Sequence, residues 1–137
     1  MKVAIVGTSA KDLSVEQHSA ISIRISQILA RYTYDTIIIS GGAAGVDSVA
    51  IYLAKQFGFE TLVYYPKIHK WEGGYMERNL EIANACDVLY CISVSTSEPD
   101  CYHHPEKMRH LKTAGCWTLA EADKLEKQCY LEVIDVK

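Results

Sequence analysis

Short apolar runs alternate with stretches of helical spacing from one end of the chain to the other. Lys2 to Val6 is a β-branched run ending at Gly7 and predicts a first strand. After the Gly7-Thr8-Ser9 turn, Ser14 and Gln17 have capping-box spacing. Val15, Ile21, Ile25, Ile28 and Tyr32 then recur near the helical period, so a helix is expected to about Arg31. Ile23 and Leu29 widen its apolar face, as suits a helix packed on a sheet. Thr36 to Ser40 reads as a second strand, and its three isoleucines suggest burial on both faces. Val46, Val49, Ala50, Leu53, Ala54 and Phe57 form the cleanest amphipathic helix of the chain, with Gly58 as its stop. A third strand is expected over Thr61 to Tyr65, ended by Pro66.

Lys67 to Gly74 reads as a loop, and a helix from about Tyr75 would present Met76, Leu80 and Ala83 on one side. Asp87 opens a strand over Val88 to Ser93. A polar stretch from Ser93 to Pro105 follows, then a short helix over Glu106 to Lys112. Thr118 and Glu121 have capping-box spacing, and Leu119, Ala122 and Leu125 continue that helix to about Lys127. Tyr130 to Val136 is the last expected strand. Strands alternating with helices imply right-handed βαβ crossovers. The fold class is therefore α/β: a three-layer sandwich whose mostly parallel sheet has five strands, or slightly more, with helices on both faces. Ligands of such sheets bind beyond the carboxyl ends of the strands, where the strand order reverses. The loops after the first, second and fourth strands are thus the places to look.

Composition changes this picture little. A length of 137 residues fits one domain over 1–137, with 49% hydrophobic and 23% charged residues as in ordinary globular chains. The net charge of −3 argues against a dedicated nucleic-acid binder. The opening apolar run is too short for a signal peptide or a membrane span, so a cytoplasmic protein is expected. The five cysteines, Cys86, Cys91, Cys101, Cys116 and Cys129, are odd in number and lack CxxC spacing, which reads as reduced thiols. A zinc site built from Cys101, His103 and His104 lacks an evident fourth ligand, so no metal is expected.

Candidate chemistry gathers at four places. Ser40-Gly41-Gly42-Ala43-Ala44-Gly45-Val46-Asp47 is a glycine-rich turn between a strand and a helix, a common way to hold a phosphate. It lacks the Gly-Lys-Ser/Thr of a P-loop and is a poor GxGxxG. A plain tight turn would account for its glycines, and the helix dipole for Asp47; alternatively Asp47 bonds a ribose hydroxyl or a base. Gly7, Thr8 and Ser9 form a companion turn. Arg78, with Asn79, sits near a helix start, where a cation often has an anion to bind; pairing with Glu77 or Glu81 is the alternative. Thr113 to Glu121 is a second small-residue turn before a helix, placing Gly115, Trp117 and Thr118 beside a ligand and leaving Glu121 as either a cap or a general base. In the loop at His69, Lys70 can approach a phosphate and Trp71 can stack on a base, or the ring can simply pack the loop down.

Taken together, Ser-Gly-Gly-Ala-Ala-Gly-Val-Asp, Met76-Glu77-Arg78-Asn79 and the following Cys-Asp-Val-Leu resemble the SLOG superfamily of Rossmann-like proteins. Its members include LOG-type phosphoribohydrolases, the DNA-processing protein A family, molybdenum-cofactor carriers and nucleotide-signal sensors. Met76 to Asn79 is similar to the Met-x-Glu-Arg-Lys segment of the phosphoribohydrolases, with Asn79 in place of lysine. Their Pro-Gly-Gly-x-Gly-Thr-x-x-Glu motif is met at Gly115, Thr118 and Glu121, whereas Thr113, Ala114 and Trp117 depart from it. The resemblance implies a Rossmann-like fold binding a nucleotide or nucleotide derivative, with no further cofactor and a homodimer or higher oligomer as the assembly. It also offers two alternatives. One is hydrolysis of a nucleoside 5′-monophosphate with Arg78 and Glu121 as catalytic residues; the other, less favoured, is single-stranded DNA binding.

Overall fold

The computed structural model describes residues 1–96, 110 and 113–136. Five strands are formed by the apolar runs: β1 (Lys2–Gly7), β2 (Ile37–Ser40), β3 (Glu60–Val63), β4 (Val88–Val94) and β5 (Gln128–Ile134). They lie in the order β3-β2-β1-β4-β5, and every pairing is parallel. Between them run α1 (Val15–Leu29), α2 (Val46–Gln56), α3 (Met76–Ala85) and α4 (Ala114–Lys124). This is the α/β sandwich anticipated from the alternation, and among the described residues its sheet is wholly rather than mostly parallel.

Alternation along β1 builds both core layers. Val3 and Ile5 face the layer that holds Ile21, Ile25 and Ile28 of α1 with Val46 and Ala50 of α2. Ala4 and Val6 face the layer of Ile82 and Ala83 from α3 with Cys116, Leu119 and Ala122 from α4. A central strand buried on both faces is mostly apolar, which is why β1 and β4 read as nearly continuous apolar runs, with Ser93 the buried polar exception in β4. Each fully buried isoleucine contributes roughly 1.5–3 kcal/mol relative to exposure. The chain winds outward from β1 to β2 and β3, then returns to lay β4 against the other side of β1. The order therefore reverses between β1 and β4, and the strand ends diverge there.

Local chemistry sets the element ends. Ser14 caps α1, its Oγ accepting from the Gln17 amide at 3.1 Å while Gln17 Oε1 accepts from the Ser14 amide at 2.9 Å. The start of α4 differs from the expectation of a cap at Thr118. Thr113 is the cap, its Oγ1 accepting from the Cys116 amide at 3.2 Å, and the Thr118 hydroxyl donates instead to the Ala114 carbonyl at 3.1 Å. The competing cap wins because Ala114 and Gly115 are small enough to begin the helix hard against β1. The inner face of α3 also differs: it buries Arg78 and Asn79 with Ile82 and Ala83, while Met76 and Leu80 are only half-buried. Inside the expected loop, Trp71–Tyr75 forms a wide, kinked helical turn. The last strand begins at Gln128, two residues early. The expected helix over Glu106 to Lys112 and the ring-rich Cys101 to His104 lie outside the described residues, apart from His110. No helix among the described residues is long and apolar enough to cross a membrane.

Candidate functional site: a crevice at the β1–β4 switch point

The reversal of strand order opens a crevice of about 590 Å³ beyond the ends of β1 and β4. Its floor depends on a close approach of two glycines. A Cβ on Gly115 would stand 2.9 Å from the Gly7 amide nitrogen and 3.1 Å from the Cys91 sulfur, so only a bare backbone lets the first turn of α4 rest on the end of β1. Ala114 and Gly115 both line the crevice. As the first two residues of α4 their amides have no acceptor within the helix, and the helix dipole adds partial positive charge there. Behind this turn, the Cys116 sulfur lies 4.0 Å from that of Cys91 and 3.7 Å from His110 Nε2, all three buried. No group of three or more metal-ligating side chains among the described residues could hold an ion.

The glycine turn after β2 is built differently. Several of its donors are already engaged from within. The Ala43 amide points at Asp47 Oδ2 at 3.4 Å, and the Gly7 and Gly41 amides also hydrogen-bond that carboxylate. The Val46 amide donates to the Thr8 carbonyl at 3.0 Å, and Ala10 donates to the Ala44 carbonyl at 2.9 Å. Gly45, at φ +113°, makes this interlock possible, because a Cβ there would lie 2.4 Å from the Thr8 oxygen. Ser40 secures the strand below through a 2.6 Å bond from its hydroxyl to the Ile5 carbonyl.

Asp47 is buried, and burial pushes its carboxyl up to about 6, against the opposing pull of Arg78 and the three amides. Arg78 is buried too. Its Nη1 donates to the Gly41 carbonyl and, at 3.5 Å, to the Tyr64 carbonyl, while the Tyr75 ring lies 5.6 Å from the guanidinium carbon. Burial lowers its pKa and Asp47 works the other way. The guanidinium thus joins the turn after β2, the end of β3 and α3. Its Nε also donates to Asn79 Oδ1 at 2.7 Å. Arginine has no acceptor, so this bond fixes the Asn79 amide with its oxygen toward Arg78. Among the described residues, the buried Asn79 Nδ2 has no partner.

Two indoles meet at the crevice. Trp71 comes from the turn before α3 and Trp117 from α4, and they pack edge to face with centroids 4.9 Å apart and an interplanar angle of 84°. The Trp71 turn is held by a bond between His69 Nδ1 and the Tyr75 hydroxyl at 3.0 Å.

Of the residues singled out in the sequence, Gly7, Ser9, Ala43, Asp47, Trp71, Arg78, Asn79, Gly115, Trp117 and Thr118 converge on this crevice. Thr8, Ser40, Gly41, Gly42 and Gly45 are not in its lining; Thr8, Ser40, Gly41 and Gly45 brace it from behind through the bonds described above. Lys70 is exposed and outside the lining. Glu121 stands outside it as well, its Oε1 3.3 Å from Lys124 Nζ. Sequence reading missed Lys11 and Asp12, on a short 3₁₀ turn after Ser9, and Thr113 and Ala114 as lining residues. Their proximity to Gly7-Thr8-Ser9 and Gly115 was the available signal.

A parallel α/β sheet with a crevice at its switch point defines a Rossmann-like protein. Two solved structures share this fold. TM1055, a structural genomics target, superposes with a TM-score of 0.65 at 13% identity, over 93% of this chain and 71% of that one. DNA processing protein A (DprA) from Streptococcus pneumoniae superposes with a TM-score of 0.62 at 19% identity, over 95% of this chain and 49% of that one. The likeness is one of fold, and this chain spans about half the length of DprA. No family model and no curated protein matches the sequence.

Proposed function

We propose that the chain binds a nucleotide or nucleotide derivative in the β1–β4 crevice. The observation carrying this reading is the sharing of one crevice by the amides at the start of α4 and two indoles. The anionic group sits at Ala114 and Gly115, with Lys11 on the same lining, because the Gly41, Ala43 and Val46 amides of the turn after β2 are spent on Asp47 and on the Thr8 carbonyl. Asp47 and Asn79 face the sugar as acceptor and donor. Arg78 acts as a brace rather than a phosphate ligand, since its contacts are to backbone carbonyls and Asn79. Thermal shifts with nucleoside mono- and diphosphates, dinucleotides and cyclic dinucleotides test the reading. A ligand at tenfold its Kd adds about 1.4 kcal/mol; no stabilisation by any member of the panel rejects it.

This reading is of binding without turnover. Glycosidic hydrolysis would ask Glu121 to face the ligand, whereas it stands beside Lys124. Release of free base from AMP, lost on Glu121→Ala, would favour the enzyme instead. Val15 and Ile23 leave α1 with exposed apolar surface, which supports a homodimer; light scattering after gel filtration reads the mass.

A further inference from the structure

We propose that Trp71 and Trp117 form an aromatic slot that takes the ligand's base by stacking and prefers purines to pyrimidines. The inference rests on the nucleotide reading above and adds which part of the ligand the indoles recognise. The two rings come from different walls of the crevice: Trp71 from the turn between β3 and α3, Trp117 from α4. They touch only edge to face, so each keeps a ring face available, and Trp71 is 41% exposed. An apolar ring of this size held open at a crevice, rather than buried, is suited to a planar partner.

Both rings are firmly placed. The Tyr75 amide donates to the Lys70 carbonyl at 2.9 Å and closes the turn carrying Trp71, and the Tyr75 ring rests against Arg78. Trp117 stands three residues beyond Ala114, one helical turn from the amides assigned to the anion, and one turn rises about 5.4 Å. A phosphate at those amides therefore leaves its base within reach of the indoles across a sugar. Stacking needs no particular edge pattern, so the slot discriminates by the area of the π-face, which is larger for a purine. A base entering the slot displaces the edge contact between the indoles.

The chain has two tryptophans, and both are in the slot, so tryptophan emission, excited selectively over the nine tyrosines, reports on it alone. AMP and GMP are expected to change the emission and to bind at least about fivefold more tightly than CMP and UMP, while ribose 5-phosphate binds without changing it. Trp71→Ala, at a half-exposed position, is expected to weaken AMP at least about fivefold and leave ribose 5-phosphate unaffected. Trp117→Phe is expected to weaken AMP less. Nucleotides that raise the melting temperature while leaving the emission and the Trp71→Ala affinity unchanged overturn the slot and spare the binding reading. No stabilisation by any nucleotide overturns both.

Discussion

The turn after β2 and the start of α4 are both small-residue segments that feed a helix at the same end of the sheet, yet they are finished in opposite ways. The first is closed upon itself: Asp47 supplies the negative charge its amides attract, and Arg78 fastens its carbonyl side. The second is finished only by the Thr113 hydroxyl, and its leading amides open on the crevice. A glycine-rich βα turn is therefore not a phosphate site by composition alone. What matters is whether a carboxylate within the same turn has already taken the anion's place.

The contrast can be broken from either side. Arg78→Ala should have the largest effect, leaving the Gly41 and Tyr64 carbonyls without their donor and the buried Asp47 without its compensating charge. A loss of about 3–5 kcal/mol is expected in urea unfolding, and a loss under about 1 kcal/mol would mean that the brace is idle. Lysine should rescue little, because it cannot reproduce the fork that reaches two carbonyls and Asn79.

Asp47→Asn comes next and is read through pH. The folded carboxyl titrates at about 6 against an ordinary 3.8. The folded state thus keeps a proton that the unfolded chain releases, so this group's stabilising contribution is fully present below the ordinary value and is lost as pH rises through about 6. Relative to Asp47→Asn, the wild-type protein should lose about 2 kcal/mol between about pH 4 and about pH 7. A stability difference that stays flat across this window would show that the carboxylate is not desolvated as described.

Thr113→Ala is the smallest change and touches the open turn. Removing the cap should lower stability by about 1 kcal/mol and weaken nucleotide binding by fraying the amides that face the crevice. Thermal melts with and without AMP separate the two effects.

Much of this architecture was legible in the residues. The Ser14–Gln17 box and the period of Val46 to Ala54 are local signals, and both elements form as read. The β1 and β4 runs announced central strands because burial on both faces strongly favours apolar residues. The start of α4 was not legible, since Thr113 and Thr118 are both competent caps and the choice was made by contact with β1, a distant segment. Nor was the inward face of α3, where Arg78 and Asn79 displace Met76 and Leu80. That choice follows from unpaired carbonyls at the ends of β2 and β3, which no helical pattern reports. The crevice residues were mostly found because they sit in strand-end loops. Their division of labour, with Asp47 closing one turn and leaving the other open, depends on side-chain direction.

The contact of Gly7 with Gly115 also bears on when the crevice comes into being. β1 must first pair with β4, a union of segments more than 80 positions apart: the Lys2 amide bonds Asp87 at a separation of 85, and Thr8 bonds the Ile92 carbonyl at 84. Such long-range parallel pairing forms late, because the loop must close before any contact rewards it. The β1-β2-β3 half, made from near neighbours in sequence, can assemble without it. The crevice is then completed in the closing step of folding, so a ligand held there stabilises the finished protein and gives no help to the half-built one.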